Sequence, residues 1–176
     1  SGLGSIPQFQ NLFILFRNPV LGVLAGAILT AIIQSSSASV GILQALSATG
    51  QISYAAAIPI IMGQNIGTCI TAMISSVGAN KNAKRAAMVH LSFNVIGTTV
   101  WLAVFWLIKS ILSPAFLDNS VTLFGIAFAH SVFNILCTFL MLPLSGVLEK
   151  LVNFLVPDGD LPEENSVLDE RLLATP

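Results

Sequence analysis

Residues 20–46 read VLGVLAGAILTAIIQSSSASVGILQAL, two apolar arms joined by the polar tetrapeptide Gln34-Ser35-Ser36-Ser37. Pro19 stands just before the first arm, a position that favours a helix start. As a helix, the arm 20–33 would rise about 21 Å, whereas the hydrocarbon core of a bilayer is about 30 Å thick. Since neither arm can span alone, we predict a re-entrant hairpin whose non-helical tip is 34–37.

The composition of the whole chain indicates a membrane protein. Of its 176 residues, 55% are hydrophobic and only 9% are charged, whereas soluble domains carry about a quarter charged residues. No Asp, Glu, Lys or Arg occurs between Arg17 and Lys81 or between Lys109 and Asp118. A water-soluble fold could not cover its surface with so few charges. We therefore predict an all-α integral membrane protein in contact with the lipid bilayer. The sequence has no basic arm of the kind that binds nucleic acid, so we do not expect a nucleic-acid partner.

Three further apolar blocks follow the hairpin, at about 54–77, 86–108 and 121–148. The first of them contains Gly63-Gln64-Asn65-Ile66-Gly67-Thr68. Glycine weakens helices, and Asn competes for backbone hydrogen bonds, so we predict that this motif breaks the helix. The expected architecture is a hairpin plus about three transmembrane helices, one of them broken.

The chain divides into three predicted regions: a lead-in at 1–19, a membrane-embedded repeat at 20–148 and a cytoplasmic linker at 149–176. We expect the sequence to be part of a longer protein.

If the hairpin returns to its own side, five basic residues share one face of the membrane and only Arg17 and Lys109 lie on the other. The five are Lys81, Lys84, Arg85, Lys150 and Arg171. The positive-inside rule then predicts a multi-pass protein of the inner (plasma) membrane with a cytoplasmic C-terminus.

The two predicted breaks are the candidate binding site. Broken helices persist in membranes only where protein or a watery cavity satisfies the backbone; their N-termini suit anions and their freed carbonyls suit cations. Serine hydroxyls can donate to an oxyanion but carry no charge. Neutral oxygens, which hard cations prefer, come from Gln34, Asn65, Thr68 and Thr71. The pattern favours sodium and an oxyanion that enter together.

Simpler explanations exist for each of these features. A triple serine alone, or Gly22-x-x-x-Gly26, is more often a helix-packing surface than a site. An internal repeat pairs His90-x-x-Phe93-Asn94 with His130-x-x-Phe133-Asn134, and on a helix each His shares a face with its Asn. Because no acid lies near either His in sequence, we favour packing over contact with substrate or protons.

Three motifs in order resemble the sodium–phosphate cotransporter family in its bacterial branch: Gln34-Ser35-Ser36-Ser37-Ala38, Gly63-x-Asn65-Ile66-Gly67-Thr68 and His90-x-x-Phe93-Asn94. The resemblance implies two inverted copies of a QSSS-containing unit with the substrate site between them. Residues 168–176 resemble the junction to a cytoplasmic PhoU-like domain, so this chain would be the second copy. Its partners would be phosphate, sodium, the other repeat and the PhoU-like domain.

The resemblance also implies roles for single residues. Ser35, Ser36 and Ser37 would donate to phosphate, and Gln34 would bridge phosphate and sodium. The implied sodium ligands are Gln34, Ser35, Gln64, Asn65, Thr68 and Thr71. Two residues depart from the family pattern, Cys69 in place of a second Thr and Gln64 in place of a smaller residue. No cofactor is implied, and no metal besides sodium as the coupling ion.

The function implied is import of inorganic phosphate coupled to sodium. Two alternatives remain at this point: a membrane-embedded phosphate sensor or regulator, and a sodium-coupled transporter of another oxyanion such as sulfate. We do not expect an enzyme, because the two His lie beside Asn and no paired carboxylates accompany them.

Overall fold

The computed structural model describes residues 18–157, and every regular element in this range is helical. The predicted all-α class is therefore confirmed. The six α-helices are α1 Pro19–Ile33, α2 Ser36–Ser47, α3 Tyr54–Ser75, α4 Lys81–Ile111, α5 Leu123–Met141 and α6 Ser145–Leu155. A short 3₁₀ helix, Ala115–Asp118, lies between α4 and α5.

The predicted hairpin is present. Helix α1 ends at Ile33, Gln34 is left-handed with φ 57°, and α2 begins at Ser36. The arms run in opposite directions: along α1, Val23 and Ala27 meet Gly63 and Gly67 of α3 in the same order, whereas α2 runs against α3. The antiparallel arms are thus confirmed, but the non-helical tip is shorter than the predicted 34–37. Only Gln34 and Ser35 lie between the helices, because Ser35 caps α2 and Ser36 and Ser37 already belong to its first turn. Insertion of both arms from one side of a bilayer stays a prediction.

Among the described residues, three helices are long and apolar enough to cross a membrane: α3 with 22 residues, α4 with 31 and α5 with 19. This agrees with the predicted number of crossings and with an all-α membrane protein. Helix α1 has 15 residues and is too short to span a bilayer, in agreement with the arm length read from the sequence. Helix α4 contains the predicted block 86–108 and extends it at both ends.

The predicted break at Gly63–Thr68 is wrong, because α3 continues without interruption from Tyr54 to Ser75. The glycines serve helix packing instead. A Cβ at Gly63 would overlap the carbonyl oxygen of Val23, and one at Gly67 would overlap that of Ala27. Small residues that let two backbones approach are typical of membrane helix interfaces. Asn65 does not disrupt the helix because its Nδ2 donates within α3, to the Ile61 carbonyl at 2.9 Å.

The block predicted at 121–148 is two helices rather than one. Helix α5 ends at Met141, two residues before Pro143, which cannot continue a helix interior. Helix α6 then packs Leu148 and Val152 into a cluster with Met141. The predicted boundary at residue 149 falls inside α6, and the division into domains stays a prediction, as does the orientation. The lead-in up to residue 17 and the acidic tail from residue 158 lie outside the described residues.

We predict that Gly63→Ala destabilises the protein, whereas Gly41→Ala does not. The added methyl at Gly63 meets backbone, so the helices must separate, and overpacking of this kind costs about 1–3 kcal/mol or more. Gly41 lies exposed inside α2, and a methyl group added there would meet nothing within 4 Å. At that position, alanine should stabilise the helix by up to about 1 kcal/mol. Thermal unfolding of the full-length protein in detergent measures both, and equal melting temperatures would contradict the packing role.

Candidate functional site

The hairpin tip places the end of one helix beside the start of another. Ser35 caps α2: its Oγ accepts from the Ala38 amide at 3.3 Å and lies 3.3 Å from the Ser37 Oγ. Within the described chain, the backbone N–H groups of Ser36 and Ser37 have no hydrogen-bond partner. They carry the partial positive charge of the α2 N-terminus, and the last carbonyls of α1 carry the opposite charge. The tip can therefore attract an anion and a cation side by side.

Gln34 adopts a backbone conformation that is unfavourable for its type. Its φ of 57° lies in the left-handed region, which costs about 1–2 kcal/mol for a residue with a Cβ. Its N–H closes α1 by donating to the Thr30 carbonyl at 2.7 Å, a bond that glycine could make without strain. The side chain is exposed at the tip. A strained residue that glycine would suit better is evidence that the side chain itself has a function.

A buried polar network joins the two arms to α3. Thr30, Ser39 and Gln64 are all 0% exposed. The Thr30 hydroxyl donates to Ser39 Oγ at 2.7 Å, and Gln64 Nε2 donates to Ser39 Oγ at 2.9 Å and to its carbonyl at 3.0 Å. Gln64 Oε1 is buried and has no hydrogen-bond partner among residues 18–157. A buried acceptor with both donors committed elsewhere is suited to bind a cation.

Three other predicted sodium ligands, Thr68, Thr71 and Asn65, also lie on α3. Thr68 and Thr71 follow Gln64 at four and seven positions, so they share its face. Their hydroxyls donate to the carbonyls of Gln64 and Thr68 at 2.8 and 2.9 Å, which leaves oxygen lone pairs available. Asn65 is the next residue after Gln64, so it lies on a neighbouring face of the helix. Its carbonyl accepts a hydrogen bond from Cys69 Sγ, which also donates to the His90 carbonyl of α4. The Gln64 side chain thus bonds the hairpin, whereas the Asn65 side chain bonds within α3.

A cavity of about 330 Å³ opens beside the tip. Ser36, Ser37 and Val40 of α2 line it together with Ala127 and His130 of α5. The hairpin and α3 carry no charged side chain, since none occurs from residue 18 to residue 80. Hydroxyls, an imidazole and a helix N-terminus therefore supply the polar groups in and around this cavity.

Sequence reasoning missed two residues of this region, Thr30 and Ser39, and it did not predict that His130 lies at the cavity. A weak signal existed for these two, because Thr30 is the one hydroxyl residue of the arm 20–33 and Ser39 follows Ser36 by three positions. Their burial at the interface of three helices required the tertiary arrangement. To predict that His130 lies at the cavity, one must know how α5 is rotated relative to α2. No local sequence pattern contains that information.

The family model described as Na+/Pi-cotransporter matches residues 8–145. This chain belongs to that family. Among its relatives, the uncharacterized protein YqeW of Bacillus subtilis is 35% identical over 77% of this chain and 43% of its own length. Human sodium-dependent phosphate transport protein 2B is 40% identical over 55% of this chain and 15% of its own length.

A third relative, from Salmonella typhimurium, is provisionally named inorganic phosphate export protein YjbB. It is 28% identical over 89% of this chain and 29% of its own length. In each comparison the chain matches less than half of the relative's length. No solved structure matches the chain. The family resemblance seen in the three motifs is therefore confirmed, whereas the activity of the whole transporter has to be argued from the site.

We predict that Ser39→Ala destabilises the protein by about 1–3 kcal/mol, the usual cost when buried donors lose their acceptor. The variant would leave the Thr30 hydroxyl without its acceptor and remove one of two bonds from Gln64 Nε2. Ser110→Ala is the matched control, because Ser110 is exposed near the end of α4. The measurement is thermal unfolding in detergent, and an equal effect of the two substitutions would contradict a structural network at Ser39.

Proposed function

We propose that this chain forms one repeat of a membrane transporter that imports inorganic phosphate together with sodium. The observation that carries the proposal is the hairpin tip, where the N-terminus of α2 and the C-terminus of α1 meet beside uncharged polar side chains. Family membership supports this substrate pair, since the matching family is described as Na+/Pi-cotransporter. The name of the human relative also includes sodium-dependent phosphate transport.

In this proposal, the serines hold phosphate. Ser36 and Ser37 line the cavity and offer hydroxyls and unpaired backbone N–H groups, and Ser35 contributes its hydroxyl at the cap. Helix N-termini are well suited to bind phosphate groups. None of these donors carries a full charge, so a bound oxyanion needs a cation close by to lower its electrostatic cost.

Sodium is proposed to bind where the α1 carbonyl end approaches α3. Gln34 and Ser35 would contribute from the tip, and Gln64, Thr68 and Thr71 from one face of α3. The unpaired Gln64 Oε1 is the strongest single argument for this position. Asn65 stays in the proposed set as a neutral-oxygen residue, although its side-chain Nδ2 and its carbonyl are both engaged within α3.

The complete site is proposed to need a second, inverted QSSS repeat. The relatives are more than twice as long as the part that this chain matches, which gives room for such a repeat in them. A downstream PhoU-like domain, a cytoplasmic C-terminus and the inner membrane as location are part of the same proposal. Their support is the family resemblance and the distribution of basic residues.

We predict that phosphate affinity rises with sodium concentration and that phosphate tightens sodium binding by the same factor. Coupling of this kind is typically about 5- to 150-fold, and thermodynamic linkage makes it reciprocal. Uptake of labelled phosphate by the full-length transporter in proteoliposomes measures it. Phosphate uptake or binding that is unchanged when choline replaces sodium would refute the coupling, and competition by excess sulfate tests the choice of oxyanion.

Two substitutions separate the ligands. Thr68→Val deletes a hydroxyl and should raise the sodium requirement, whereas Ser36→Ala deletes a donor and should weaken phosphate even at saturating sodium. Thr99→Val is the matched control for Thr68→Val. Thr99 makes the same bond to the carbonyl four residues earlier, at 2.7 Å, but it lies exposed on α4. An equal sodium requirement in Thr68→Val and Thr99→Val would remove Thr68 from the sodium site.

Export is the second candidate, and one observation favours it: the name of the Salmonella relative, whose match covers 89% of this chain. We expect net phosphate uptake when cells producing the full-length protein face an inward sodium gradient, because a symporter moves both ions the same way. Labelled phosphate counted inside the cells and in the medium gives the direction. Net efflux under that gradient would overturn import and leave phosphate as the substrate.

A further inference from the structure

The repeated His-x-x-Phe-Asn motif occurs in two different surroundings. In both copies the Asn side chain donates to the backbone carbonyl of its own His, at 3.0 Å for Asn94 and His90 and at 2.8 Å for Asn134 and His130. The motif therefore makes the same local bond in α4 and in α5. Of the two histidines, His130 lines the cavity that Ser36 and Ser37 form, and His90 does not. A packing motif explains both copies, but it does not explain why one imidazole faces the serines.

We propose that His130 is a further phosphate-contacting residue, whose Nε2–H donates a hydrogen bond to an oxygen of the anion held by Ser36 and Ser37. The inference rests on the proposed function, and it adds a donor from α5 to a site otherwise built by the hairpin. Phosphate would then bridge α2 and α5 across the cavity.

The two ring nitrogens differ in their surroundings, and this difference assigns the proton. Nδ1 of His130 is buried and has no hydrogen-bond partner in the part of the chain that the structure describes. A neutral imidazole carries one proton, and an orphaned buried N–H is rarer in proteins than an under-satisfied acceptor. The favoured tautomer therefore leaves Nδ1 bare and places the proton on Nε2. Because Asn134 bonds the backbone carbonyl and not the ring, the imidazole keeps this donor for a ligand.

A neutral donor also fits the coupling that the site requires. A Lys or Arg at position 130 would hold an oxyanion without sodium and would uncouple the two. A neutral Nε2–H strengthens phosphate binding and leaves the missing positive charge to sodium. His130 substitutions should consequently change phosphate affinity without abolishing the dependence of uptake on sodium.

The test is the phosphate concentration for half-maximal uptake at saturating sodium, measured on the full-length transporter in proteoliposomes. A hydrogen bond to a charged group contributes about 1.5–3 kcal/mol, so His130→Leu should raise that concentration about tenfold or more. His130→Gln places an amide N–H near the Nε2 position and should retain most of the affinity. His130→Asn reaches only the Nδ1 position and should resemble His130→Leu.

His90 supplies the matched control, because it has the same motif and the same Asn bond away from the cavity. His90→Leu should leave the half-maximal phosphate concentration unchanged. Equal effects of His90→Leu and His130→Leu, no effect of His130→Leu, or rescue by Asn as well as by Gln would overturn the assignment. If His130→Leu does not fold, the contrast between Gln and Asn decides. Wild-type protein that takes up no phosphate would instead refute the proposed function itself.

Discussion

The close contact between α1 and α3 is the constraint on which the rest of the structure depends. Gly26, Gly63 and Gly67 bring the two backbones so near that a Cβ at any of them would overlap a neighbouring carbonyl or side chain. This contact sets how far the hairpin reaches along α3, and therefore which residue of α3 meets the tip. Gln64, the neighbour of Gly63, donates to Ser39 of α2 from the helix that this contact holds against α1. The proposed binding residues thus lie on helices whose spacing is set by glycines.

Charge imposes the second constraint. The hairpin and α3 contain no ionisable Asp, Glu, Lys or Arg, so the fixed electrostatic sources near the tip are the helix ends and neutral dipoles. Such sources can stabilise a pair of opposite ions better than either ion alone, because each ion lowers the cost of bringing the other out of water. The proposed cotransport follows from such a site, whereas a site with a lysine would bind an oxyanion independently.

How much the sequence predicts depends on whether a feature is local. The hairpin tip was predictable because the length of two apolar arms is a property of the chain alone, and α4 because its apolar run is uninterrupted. The prediction of a break in α3 was wrong for a physical reason. Gly63 and Asn65 lower helix propensity, but the burial of α3 against α1 outweighs that propensity. Pro59 also lies inside α3 and does not end the helix. The cavity position of His130 depends on contacts between α2 and α5, which are distant in sequence, so no local signal could indicate it.

Gln64 connects the two proposed ion positions through a single side chain. Its Nε2 is committed to Ser39, in the second turn of the helix whose N-terminus carries the serines, while its Oε1 remains unpaired. A cation at Oε1 would polarise the amide and strengthen the Nε2 bonds, because hydrogen bonds in a low-dielectric interior reinforce one another. Ser39 would then be held more firmly, and with it the first turns of α2 that present Ser36 and Ser37. A smaller residue at position 64 could not make this connection, so in the proposed site occupation of the cation position would be linked directly to the rigidity of the anion position.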